Sequence, residues 1–145
     1  FNIVKEVDYD IVGISYYPWW HGKSLEDLQN QLSNLSINFN KEILIAETSY
    51  PFTLGWNDWT NNNVGLEEHL ILPQYPASPQ GQKDFIRDVK NLILEVNNGI
   101  GFCYWGADLI AWDGETSTNG STWENQAVFD FDNKELPVLK EFNLD

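Results

Sequence analysis

Methionine is absent from this 145-residue chain, cysteine occurs once, and only 8 lysines and arginines stand against 22 aspartates and glutamates. Each scarcity excludes something. A chain that opens Phe1-Asn2-Ile3 rather than on Met is expected to have had an N-terminal part removed or left out. A single cysteine, Cys103, forbids an intrachain disulfide. Its place in the apolar run from Ile100 to Trp105 predicts a buried small hydrophobe. A formal net charge of −14 argues against nucleic acid and anionic membrane surfaces, which need clustered Lys and Arg. No apolar stretch reaches the length of a membrane-spanning helix, and no charged-then-apolar leader opens the chain.

Aromatic residues are abundant instead: 7 Trp, 6 Tyr and 8 Phe. Large rigid rings offer flat apolar faces at low entropic cost, which suits a neutral polymer such as a polysaccharide. The competing use of any one ring is core packing.

Patterning predicts alternating strands and helices. Phe1 to Asp8 reads as the end of a helix. Tyr9 to Ser15 reads as a short strand rich in β-branched residues. An aromatic loop, Tyr16-Tyr17-Pro18-Trp19-Trp20-His21-Gly22, follows it. Ser24 and Asp27 have capping-box spacing, and Leu25, Leu28, Leu32 and Leu35 share one helical face. Ile43-Leu44-Ile45-Ala46 is continuously apolar, as in a parallel strand covered on both faces. It runs into Glu47-Thr48-Ser49, and a long segment rich in Asn, Trp and Pro extends from Tyr50 to Ala77. Ser78-Pro79 opens a second helix, with apolar positions Phe85, Ile86, Val89, Leu92, Ile93 and Val96, stopped by Asn97-Asn98-Gly99. Ile100 to Trp105 is a third strand, and Leu136 to Phe142 a brief last helix. This order is a run of βαβ units and implies a parallel sheet. Polar and aromatic residues collect after each strand, the edge where such sheets place their sites.

Glu47 is the most informative position. It emerges from a rigid apolar strand, which holds its carboxylate in place as a nucleophile requires; the plain alternative is a solvated residue at a strand–loop junction. The words around it decide. Ile14 to Gly22, Ala46-Glu47-Thr48-Ser49-Tyr50-Pro51-Phe52-Thr53, Pro79-Gln80-Gly81-Gln82, Gly101 to Trp105, and Trp123-Glu124-Asn125-Gln126-Ala127 to Phe131 occur in this order. Together they resemble the arabinogalactan endo-β-1,4-galactanases of glycosyl hydrolase family 53, over nearly the whole chain.

The resemblance implies a (β/α)8 barrel, of which residues 1–145 form the C-terminal portion, its strands matching the last three. It implies an endo-acting retaining hydrolase of β-1,4-galactan, secreted, periplasmic or on a bacterial cell surface. Glu47 matches the nucleophile. The acid/base glutamate follows the fourth strand in an Asn-Glu dipeptide, and no such dipeptide occurs here. The fragment alone is therefore expected to be inactive. The alternative is a non-catalytic sugar-binding or inert partial barrel. A tyrosine hydroxyl from this region is expected on the nucleophile, from either Tyr16 or Tyr17, the other ring packing beneath. Trp105 matches the platform under the sugar. Trp19, Trp20 and Trp56, with Trp59 and Trp112, are candidates for further subsites, and His21 for a hydrogen bond to sugar. His21 and His69, the two histidines, lack zinc-site spacing. Some bacterial members hold calcium in the loop after the seventh strand. Here that loop, Thr53 to Asn63, has one acidic residue where calcium takes 6–8 oxygens, so no metal and no cofactor are expected. Glu124 is expected to be a structural hydrogen-bonding residue. An unpaired first strand invites self-association.

Overall fold

A computed structural model describes residues 7–143. Most of the expected opening helix, residues 1–6, lies outside the described residues, and Val7 and Asp8 are not helical. Three parallel strands, β1 (Ile11–Ser15), β2 (Glu42–Thr48) and β3 (Gly99–Tyr104), lie side by side in chain order. Between them run α1 (Pro18–His21), α2 (Leu25–Phe39) and α3 (Pro79–Glu95); short 3-10 turns span Glu67–His69, Glu124–Gln126 and Pro137–Phe142.

Local chemistry sets the helix ends. The Asp27 backbone N–H donates to Ser24 Oγ at 3.0 Å, which starts α2, and Asn40 in the left-handed region stops it. The Gly81 N–H donates to Ser78 Oγ at 3.0 Å, with Pro79 in the first turn of α3. Such caps satisfy N–H groups that have no partner inside the helix. From α3 the chain passes into β3 through Asn98, also left-handed, and Gly99. A Cβ on Gly99 would stand 1.9 Å from the Ile93 carbonyl oxygen, so only glycine fits that close approach. Trp19 and Trp20, expected in a loop, sit on the single turn of α1.

The helices cover one face of the sheet. Ile43 and Ile45 of β2 are fully buried there, in one core with Leu28 and Leu32 of α2 and Phe85, Ile86, Val89 and Ile93 of α3. Each such side chain contributes roughly 1.5–3 kcal/mol on leaving water. The opposite face departs from expectation. β2 is not covered on both sides: its alternate residues Leu44 and Ala46 are only half-buried. On the same side Ile11 is 44% exposed, and Cys103, expected to be buried, is exposed. The apolar run misleads because successive strand residues face opposite ways, and here only one layer of helices meets the sheet. The result is an arc of a (β/α)8 barrel whose inner face is open. A cavity of about 620 Å³ also opens beside β1, lined by Ile14, Tyr16, Leu28, Leu35 and Phe39 among others.

Candidate active site

The C-terminal ends of the three strands meet at one edge. The Tyr16 N–H donates to the Glu47 carbonyl oxygen at 2.8 Å, and the Trp105 N–H to that of Thr48 at 2.9 Å. These bonds carry the sheet one step past its ends and place Tyr16, Glu47 and Trp105 in adjacent positions. Glu47 is half-buried.

Two tyrosines follow β1, and the structure separates them. The Tyr17 hydroxyl donates to Glu47 Oε2 at 3.1 Å. Burial, and then the hydrogen bond and charge of Glu47, push the Tyr17 hydroxyl far above its ordinary pKa. It therefore stays protonated and remains a donor to the carboxylate. The Tyr17 backbone N–H donates to His21 Nδ1 at 2.9 Å, which fixes the turn. Tyr16 points into the core: its ring stacks on Phe85 at 6.3 Å and its hydroxyl donates to the Gly22 carbonyl at 3.0 Å. Its pKa is also raised, by burial and by Tyr50.

Rings surround this carboxylate–phenol pair. Trp19 and Trp20 each lie 5.2 Å from the Tyr17 ring, centroid to centroid, and His21 lies at 6.1 Å. Trp20 is 58% and Trp105 43% exposed, so both offer faces to a ligand. Trp56, Trp59 and Trp112 are exposed in the loops and share no ring contact with the cluster. Trp123, which sequence reasoning missed, links the two sides of the site through its ring, 5.5 Å from Tyr17 and 6.3 Å from Trp105. Its only sequence signal was its position at the head of the Glu-Asn-Gln-Ala word.

That word clamps the site's two long loops. Glu124 Oε1 accepts the Asn57 N–H at 2.8 Å. Asn125 Nδ2 donates to the carbonyls of Thr53 at 2.9 Å and Val64 at 2.7 Å. Ser49 Oγ donates to Gln126 Oε1 at 2.7 Å. Burial, with a smaller contribution from Asp58, raises the Glu124 carboxyl above its usual range. Asp58 Oδ2, Asn62 Oδ1 and Glu124 Oε2 are buried with no protein hydrogen-bond partner. Asp58 is the sole acidic side chain of the segment from Thr53 to Asn63, and its Oδ1 accepts the Thr60 N–H at 2.6 Å. Among the described residues, no three His, Cys, Asp or Glu side chains converge as a metal site needs.

Comparison with known proteins follows this geometry. The model of glycosyl hydrolase family 53 matches residues 2–142. An arabinogalactan endo-β-1,4-galactanase of Cellvibrio japonicus is 35% identical over 96% of this chain and 37% of its own length. An endo-β-1,4-galactanase of Bacillus subtilis is 32% identical over 95% and 39%. The solved Ignisphaera aggregans GH53 catalytic domain superposes with a TM-score of 0.84 at 40% identity, over 95% of this chain and 39% of that one. A fungal β-1,4-galactanase does so with 0.69 at 27% identity. The chain thus spans under two-fifths of the length of these galactanases from Cellvibrio and Bacillus.

Proposed function

This chain belongs to glycosyl hydrolase family 53, and from that premise we propose that it is the nucleophile-bearing C-terminal portion of an endo-acting, retaining β-1,4-galactanase. One observation carries the reading: the Tyr17 hydroxyl bonds to Glu47 Oε2 at 3.1 Å, at the C-terminal edge of the strands. The hydroxyl orients the carboxylate by donating to it. Glu47 then attacks the anomeric carbon, a covalent glycosyl–enzyme bond forms, and the glycosidic C–O bond breaks. Trp105 carries the apolar face of the sugar at the cleavage point, while Trp19, Trp20, Trp56 and His21 extend contact along the polymer.

Retaining hydrolysis needs a second carboxyl, about 5–5.5 Å from the first, to protonate the leaving oxygen and later activate water. Glu124 is committed to the Asn57 N–H in the loop clamp, so it does not serve. The second carboxyl belongs to an upstream strand of a barrel that takes about 250 residues. The substrate is (arabino)galactan, and a polymeric substrate fits a protein that is secreted, periplasmic or on the cell surface.

Three proteins test this by reducing-sugar release from β-1,4-galactan: the 145-residue chain, a longer chain with the upstream strands restored, and Glu47→Gln in that longer chain. The expected result is turnover by the longer chain alone. Acid–base assistance typically contributes about 10²–10⁴-fold, so substantial turnover by the 145 residues would overturn the division of the catalytic pair. Full activity of Glu47→Gln would remove Glu47 from the mechanism. Absent turnover with retained galactan binding by the longer chain would favour the non-catalytic reading.

A further inference from the structure

Glu47 sits where the sheet is irregular. On one side Ile14 pairs with Ile45 but the next residue, Ser15, pairs with Glu47; on the other, Phe102 pairs with Ile45 and Tyr104 with Thr48. Between Ile45 and Thr48, β2 carries one more residue than either neighbour. A bulge of this kind re-aims the side chain it carries and disrupts the ladder locally. The Tyr16 and Trp105 N–H groups still hold the Glu47 and Thr48 carbonyls, and past Thr48 the chain leaves the sheet and takes its direction from other contacts.

Gln82 supplies such contacts. It is fully buried in the first turns of α3, behind the strand ends. Its Nε2 lies 3.0 Å from the Tyr50 carbonyl, 3.0 Å from the Ala127 carbonyl and 3.1 Å from the Tyr104 hydroxyl oxygen. The Tyr104 hydroxyl donates onward to the Gln126 carbonyl at 2.7 Å. The amide thereby joins the segment three residues past Glu47, the end of β3 and the loop clamp. A hydrocarbon at position 82 would take the amide donor away from the Tyr50 and Ala127 carbonyls.

We infer that Gln82 is a positioning residue for the nucleophile: its amide pins the segment just past the bulge in β2 to the end of β3 and to the loop clamp, and so holds Glu47 on the Tyr17 hydroxyl. This rests on the function proposed above. The two can fail separately. Reacting groups displaced by about 1 Å can lose about 10²-fold in rate, so the effect belongs in kcat, not in substrate binding.

The test is made in the longer, barrel-completing chain, with Gln82→Met as an unbranched apolar replacement, Tyr104→Phe as a milder cut in the same network, and Glu47→Gln as the control. Melting curves fix an assay temperature at which each variant is fully folded. The expected outcome is kcat lowered about 10²-fold in Gln82→Met, less in Tyr104→Phe, with KM unchanged in both. Unchanged kcat in folded Gln82→Met, or a rise in KM alone, overturns the inference. If Gln82→Met does not fold, Tyr104→Phe decides: a fall in kcat at constant KM supports the role, and wild-type kcat overturns it. Activity in Glu47→Gln would instead sink the proposed function, whatever Gln82 does.

Discussion

A phenol that donates to a carboxylate orients it, and here two adjacent tyrosines divide that work from packing. Hydrogen bonds to charged groups contribute about 1.5–3 kcal/mol and neutral ones about 0.5–1.5. In the longer chain, Tyr17→Phe should therefore lower kcat about 10- to 100-fold with little loss of melting temperature. Tyr16→Phe should do the reverse, costing about 1 kcal/mol of stability through its bond to Gly22 and leaving kcat within about threefold. Steady-state kinetics and thermal melts on the pair check this, and equal kinetic losses would remove the distinction. Glu47 stood out in the sequence because a charged residue ends an apolar run, and the words around it made it the candidate nucleophile. Which tyrosine reaches it was not legible there. Neighbouring residues in a loop follow no period, and the turn fixed by the Tyr17 N–H on His21 is what brings the Tyr17 hydroxyl, rather than that of Tyr16, to Glu47.

Among the elements, α2 and α3 were plain in the sequence because several turns repeat the apolar spacing and each opens on a serine cap. The single turn of α1 is too short for any periodicity to show. The loop clamp escaped notice for another reason: Glu124, Asn125 and Gln126 act on partners about 60–77 positions away, and separations of that size leave no local pattern. The clamp also titrates. Burial raises the Glu124 carboxyl pKa in the folded state, so the unfolded chain releases that proton first. Stability contributed by the protonated form is present below the ordinary glutamate value, near 4.3, and is lost as pH rises through the folded one. Glu124→Gln keeps an acceptor for the Asn57 N–H and cannot ionise. Its stability relative to the parent should therefore climb as pH is raised from about 4, read as urea midpoints across that range. A constant difference would show that Glu124 does not ionise on that scale.

At the scale of the whole molecule, the order of strands and helices implied a parallel sheet, since βαβ runs permit few arrangements, and the family resemblance made that sheet part of a barrel. The open inner face was not readable, because an apolar strand looks the same whether one or both faces are covered. The outer edge of β1, without a partner strand among the described residues, is a template for another chain. The isolated 145 residues should self-associate with rising concentration in sedimentation, against the repulsion of a −14 charge, and Ile11→Lys should weaken it. A monomer at every concentration would show that charge alone guards the edge.

The ring cluster has one more consequence. Trp19, Trp20 and Trp123 lie 5.4–6.5 Å apart, with Tyr17 among them and Trp105 at 6.3 Å from Trp123. Chromophores this close exchange excitation before they emit, so light absorbed by any of them reports on the surroundings of all. A sugar settling over Trp20 or Trp105 would displace water from their exposed faces and change the colour and yield of the shared emission. The site thus contains its own fluorophore, and occupancy can be followed without a label or any turnover.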